Sequence, residues 1–223
     1  MYACIRKQTG TAGYLNQYNI TLILPNGDVN LALRFAVKGG LMNRVQEYMA
    51  QGACIDHCCG FGNSPLMLAS QGGHLDIVRY LLSLGAEINL QNKNGNTALI
   101  KACRNGHSAV AMKLIEAGAN IFLQDKHKQR GITLAAWMGL IDVVKTLIFK
   151  GARINHADDY GFTPLLSACQ NGHADIAQFL IEQGADVSVQ DKDGDTALRY
   201  ALNSKMPEIA ALIQEKITPN TTT

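Results

Sequence analysis

Cysteine and histidine are the side chains of this 223-residue sequence best suited to metal binding or nucleophilic attack, and there are six of each. His57-Cys58-Cys59 sets three of them side by side. A zinc site needs a second ligand pair at CxxC or HxxxH spacing, and none follows. His74, His107 and His173 each follow a glycine, but no nucleophile or carboxylate recurs beside all of them, so a structural role is expected and not a catalytic one. The phosphate-cradling GxxxxGK, the zinc-protease HExxH and the GxSxG nucleophile elbow are absent. No catalytic residue, cofactor or metal is therefore predicted, and the chain reads as non-enzymatic.

The histidines belong to a larger regularity. Stepping back from Gly184-Ala185 by 33 residues lands on Gly151-Ala152, Gly118-Ala119, Gly85-Ala86 and Gly52-Ala53, without insertion or deletion. Self-similarity at this period predicts a stacked solenoid, in which each unit buries its apolar face against its neighbours. Cys103 and Cys169 fall at one repeat position two units apart, far beyond the ~7 Å that a disulfide spans, so both are expected to be buried thiols.

With 47% hydrophobic and 17% charged residues the chain has ample material for a core. A net charge of +2 gives little general attraction to nucleic acid or an anionic membrane. Near the N-terminus, Arg6 and Lys7 lead into Thr-Gly-Thr-Ala-Gly and not into a secretory apolar segment, and Ile20–Leu24 is too short to cross a bilayer. These features predict a cytoplasmic monomer with neither nucleic acid nor membrane as its partner.

Residues 1–27 lie outside the repeat and read as an N-terminal arm, with a strand-like Asn19–Leu24 before the Pro25-Asn26-Gly27 turn. The repeat domain is expected over 28–217, and 218–223 as a polar, disordered tail. Ser64-Pro65 joins a capping hydroxyl to a proline at the first helical position, a helix start. Ile77, Val78, Leu81 and Leu82 then mark one face of a second helix. Thr97-Ala98-Leu99, Thr163-Pro164-Leu165 and Thr196-Ala197-Leu198 repeat the first start, and with the Gly-His pairs they resemble the Thr-Pro-Leu-His-x-Ala signature of the ankyrin family. The resemblance covers roughly Asn26 to Lys216. It implies an all-α ankyrin-repeat solenoid of helix-turn-helix units with hairpin fingers, in five to six repeats including degenerate terminal caps.

Two stretches depart from the pattern. In Asp125–Gly131, Lys128 replaces the finger glycine, Arg130 the capping threonine and Gly131 the proline, either as drift with a looser helix start or as a basic contact finger. In the last repeat Lys205-Met206 replaces Gly-His, and Gln214 stands where Leu82, Ile115, Ile148 and Ile181 stood, as a polar cap requires.

The resemblance further implies that the finger tips and the exposed ends of the first helices face a partner. Carried onto this sequence, it selects Phe61, Asn63, Lys93, Asn96, Arg104 and Asn105, then Lys126, His127, Gln129, Trp137 and Met138, and then Tyr160, Phe162, Gln170 and Asn171. Lys192, Asp193, Asp195 and Asn203 complete it. Trp137, Met138, Tyr160 and Phe162 come from adjacent repeats and are expected to lie together beside Arg104, Lys126 and His127. Tryptophan, tyrosine and arginine are the types that dominate binding interfaces. Aromatics at such spacing serve either as contact surface or as packing between helices.

Lys93, Lys126, Lys128 and Arg130 precede Asp158, Asp159, Asp191, Asp193 and Asp195, which predicts fingers whose charge changes sign along the array. The function expected is binding of another protein through the concave face, as a scaffold, an inhibitor or a host-mimicking effector acting in a host-cell cytoplasm. The alternative is a sensor of a nucleotide or small anionic ligand, with the aromatics on the base and Arg104 and Lys126 on phosphate. Asn89 and Asn155 hold positions that the family's asparaginyl hydroxylase modifies, each with a leucine eight residues earlier, Leu81 and Leu147.

Overall fold

Hydroxyl caps open the helices where the sequence places them. Ser64 Oγ accepts the Met67 N–H at 3.3 Å, Thr97 Oγ1 that of Ile100 at 3.2 Å, and Thr163 Oγ1 that of Leu166 at 3.3 Å. The structure, a computed structural model, describes residues 28–218, so the arm reading for 1–27 and nearly all of the tail fall outside it. Within the described residues twelve helices run in six pairs joined by short turns. They are α1 (Val29–Lys38) with α2 (Met42–Ala50), α3 (Pro65–Gly72) with α4 (Leu75–Ser83), α5 (Ala98–Arg104) with α6 (Ser108–Glu116), α7 (Gly131–Trp137) with α8 (Ile141–Phe149), α9 (Pro164–Gln170) with α10 (Ala174–Glu182), and α11 (Ala197–Asn203) with α12 (Pro207–Ile217).

Odd-numbered helices stack on odd-numbered ones and even on even, which makes an inner and an outer layer with a continuous apolar core. The inner helices are covered almost all round, so α7 buries Gly131 to Ala136 and α9 buries Pro164 to Cys169. The outer helices are amphipathic: in α4, Ile77, Val78 and Leu81 are buried while Asp76 lies in the first turn, where its charge suits the helix dipole. In α12, Ile213 is buried and Gln214 is exposed, so the array ends on a polar face. Cys103 and Cys169 are buried free thiols, and burial pushes each up to about 12.

Between the pairs, one side chain per finger organises the turn. The Oδ1 atoms of Asn92, Asp125, Asp158 and Asp191 each accept the N–H groups two and four residues on, all at 2.9–3.0 Å. A peptide ladder then crosses from finger to finger, from Lys93 N–H to Phe61 O at 3.2 Å, Lys126 to Asn94 at 2.9 Å, Asp159 to His127 at 2.9 Å and Lys192 to Tyr160 at 3.0 Å. This changes the role expected of three finger acids. Asp158 and Asp191 are 7% exposed and serve as turn anchors, while Asp159 is paired with Lys128 at 2.7 Å. An Asx acceptor satisfies backbone donors that nothing else in so short a turn reaches.

The irregular repeat keeps its shape. Arg130 offers no capping bond, yet α7 has the seven residues of α5 and α9, because its neighbours on both sides hold it. Lys128 and Lys205 occupy two repeat positions filled elsewhere by glycine, and both take the left-handed conformation, with φ of 58° and 56°. Stacking thus imposes a backbone that lysine disfavours.

Candidate partner-binding site

Six of the sequence-selected residues, Arg104, Gln129, Trp137, Tyr160, Phe162 and Gln170, meet in one cavity. Trp137 ends α7, Arg104 ends α5, and Tyr160 and Phe162 sit on the finger that leads into α9; together they wall a recess of about 300 Å³ on the concave side. Trp137 meets Phe162 edge to face with ring centroids 6.3 Å apart, and Phe162 in turn lies 5.9 Å from the ring of Tyr200. Trp137 is 43% exposed and Tyr160 51%, so both rings present area to solvent. Phe162 is half-buried and packs against the core. Of the residues whose role the sequence left open, Trp137 and Tyr160 are exposed, and Phe162 packs between helices.

Three further selected residues, His127, Lys126 and Met138, stand outside the recess. His127 stacks at a tilt on Tyr160, 5.7 Å between centroids, and so supports that wall from the finger side. Lys126 is exposed at the finger tip, and Met138 is exposed beyond the end of α7.

Arg104 is held in place rather than offered. Its guanidinium donates to Asn96 Oδ1, to Asp125 Oδ2 at 2.6 Å and to Gln129 Oε1 at 3.2 Å. Gln129 Nε2 continues the network to Asp158 Oδ2 at 3.1 Å. The carboxylate of Asp125 is almost wholly buried, and Arg104 is the cation that balances it.

Four residues that shape the recess, Thr133, Leu134, Ser167 and Asp158, lie beyond the selected fingers and helix ends or were taken for something else; with the selected Gln170 they form its floor. Sequence carried a signal for one of them, since Thr133 stands where Met67, Ile100 and Leu166 stand in other repeats, whereas Ser167 shares its position with Lys101 as well as Leu68 and Leu134. A polar residue at an apolar inner-helix position is the mark. Tyr200 was missed as well; its hydroxyl donates to Asp191 Oδ2 at 2.5 Å while its ring backs Phe162.

The chemistry-bearing cysteines and histidines take other roles. The Nε2–H of His74 donates to Lys38 O at 3.2 Å, that of His107 to Gln71 O at 3.0 Å and that of His173 to Trp137 O at 3.0 Å, so these rings lace each repeat to the one before. Burial and the neighbours Cys59, Asp56 and Cys54 push the Cys58 thiol up, which keeps it protonated. Cys59 occupies the turn-anchor position, 33 residues before Asn92, and the N–H groups of Asn63 and Phe61 with Arg34 outweigh its burial and pull the thiol down. Asn89 Oδ1 accepts Asn120 N–H at 2.8 Å and Asn155 Oδ1 accepts Asp186 N–H at 2.9 Å, each bridging to the following repeat. Among the described residues no group of three or more His, Cys, Asp and Glu side chains is placed to hold a metal, and no helix is long and apolar enough to cross a membrane.

Comparison with known proteins agrees with this architecture. A family model described as ankyrin repeats (3 copies) matches residues 33–125 and 132–223, and residues 126–131 between the two stretches contain the Lys128, Arg130 and Gly131 departures. No curated protein sequence matches the chain. Among solved structures it is similar to a chain from the complex of the Bd0816 predatory endopeptidase of Bdellovibrio bacteriovorus with immunity protein Bd3460. That similarity is 31% identity and a TM-score of 0.73, over 83% of this chain and 97% of that one. It is also similar to the human ASB11 ankyrin repeat domain, at 28% identity and a TM-score of 0.74 over 85% of each chain. Such solenoids serve as protein-interaction modules, and the family is in general non-enzymatic. The chain belongs to the ankyrin-repeat family.

Proposed function

We propose that this protein binds a partner protein through the recess between its third and fifth helix pairs, with Trp137 and Tyr160 as the anchoring contacts. The observation that carries the reading is the recess itself: two exposed aromatic rings stand over a floor in which Thr133 Oγ1, Ser167 Oγ and Gln170 Oε1 have no partner among the described residues. Exposed aromatics beside a concave, partly polar pocket are where binding energy concentrates. The similar chain from an endopeptidase–immunity protein complex supports a protein as the partner. Residues 28–217 act as the binding unit, as a monomer, in the cytoplasm, where buried thiols such as Cys103 and Cys169 stay reduced.

A nucleotide fits the recess less well, because Asp158 lines it and Arg104 is already committed to Asp125. ATP and GTP at millimolar concentration are expected to leave the melting temperature unchanged, and a saturable rise would favour the sensor reading. Affinity capture with wild type beside Trp137→Ala/Tyr160→Ala, with circular dichroism to verify folding, tests the leading reading. A partner retained by wild type and released by the folded double variant is expected; a partner held equally by both refutes the recess as the contact.

A further inference from the structure

The floor of the recess has hydrogen-bonding capacity that the protein leaves unused. Thr133 is 3% exposed and Ser167 1% exposed, yet among the described residues neither Oγ1 of Thr133 nor Oγ of Ser167 has a partner, and Gln170 Oε1 is equally unpartnered. An inner-helix serine can satisfy itself in this fold: Ser70 Oγ donates to Leu66 O at 2.7 Å. Buried polar atoms without partners are costly and rare in native proteins, so an occupant of the recess that brings donors to them is favoured.

Charge narrows what that something is. Asp125, Asp158 and Asp191 line up beneath the concave face, one per finger and each 7% exposed. Asp125 is balanced by Arg104 at 2.6 Å. Asp158, the carboxylate in the recess itself, has among the described residues only neutral donors: the N–H groups of Tyr160 and Phe162 and the side-chain amide of Gln129. At the adjoining finger tip Lys128 is neutralised by Asp159 at 2.7 Å, and Lys126 stands outside the recess lining. The unbalanced charge facing an occupant is therefore negative, in a site whose low dielectric strengthens it.

Resting on the reading of the recess as the partner contact, we propose that the side chain it receives is an arginine of the partner protein. A guanidinium brings five N–H donors in one plane and a permanent positive charge to a floor of unpaired oxygens beside Asp158. Its faces stack on the rings of Trp137 and Tyr160. A carboxylate or phosphate would face Asp158, and an aliphatic side chain would bury the floor oxygens unpaired. Lysine delivers a point charge with fewer donors and no stacking face.

The test uses blocked single residues as probes, read on the indole N–H resonance of Trp137, the only tryptophan in the chain. N-acetyl-arginine methylamide is expected to shift that resonance saturably, with a Kd of about 1 mM or tighter. The lysine, glutamate and norleucine analogues are expected to bind about tenfold more weakly or worse. Ser167→Leu, which restores the residue found at Leu68 and Leu134, should keep the fold and abolish the arginine effect. Asp158→Asn, with asparagine as at Asn92, should weaken it about tenfold. Preference for the glutamate or norleucine probe, or equal response to all, overturns the arginine assignment and leaves the recess as the partner contact. No saturable shift with any probe overturns the arginine assignment too, and the double-variant capture then decides the contact on its own.

Discussion

The Nε2–H of His173 donates to the carbonyl of Trp137 at 3.0 Å, so the residue that walls the recess is fixed by the repeat that follows it. The ring lies so close to Gly139 that a Cβ there would come within 2.7 Å of it. Replacing His173 by alanine removes both the bond and this packing, at a cost of about 2 kcal/mol. Thermal denaturation should show the loss, and because the chain has one tryptophan, its emission should shift in the still-folded variant.

Lys128 and Lys205 predict opposite lessons from the same substitution. Left-handed lysine costs about 1–2 kcal/mol, of which glycine returns part after its own entropy is counted. Lys205→Gly should therefore raise the melting temperature by a few degrees. Lys128→Gly also removes the 2.7 Å pair with Asp159, so its gain should be smaller or nil. Equal gains in both would mean that the cross-finger pair contributes nothing.

Close stacking of fingers gives a further comparison. A Cβ on Gly161 would lie 2.7 Å from the Cα of Asp191, whereas one on Gly194 meets nothing within 4 Å, although both have φ above 80°. Gly194→Ala should cost only the backbone strain, about 1–2 kcal/mol. Gly161→Ala must also push the next finger away, and chemical denaturation should show the larger loss.

Cys58 and Cys59 are neighbours with opposite tendencies. Cys59 is held below the ordinary thiol range and Cys58 above it, so alkylation of Cys59 by iodoacetamide should switch on at lower pH. Tandem mass spectrometry of the peptide that contains both residues separates them. Cys59→Asp should fold normally, since Asp125, Asp158 and Asp191 fill the same position.

Acid stability should depend on Tyr200. Burial raises the Asp191 carboxyl, but the Tyr200 hydroxyl and the N–H groups of Asp195, Asp193 and Gly194 outweigh it and hold the group below the usual carboxylate range. A depressed carboxyl contributes stability that is complete above its unfolded value, 3.8, and is lost as pH falls through the folded value. Tyr200→Phe removes one of these donors, so the acid unfolding midpoint should move to higher pH. An unchanged midpoint would assign the anchoring to the backbone donors alone.

The 33-residue period and its hydroxyl caps determined the architecture by themselves, because each repeat carries the local signals for two helices and a turn. Sequence also placed Arg104, Trp137, Tyr160 and Phe162 together, since the period converts a position into a location. It misread Asp158 and Asp191, because a carboxylate that anchors a turn and one that faces solvent have the same letter. Only stacking brought the unpaired oxygens of Thr133, Ser167 and Gln170 under one aromatic roof and spent the charge of Arg104 on Asp125. Side-chain partnership across repeats is a property of distances between residues far apart in the chain, and those distances exist only after the layers have packed.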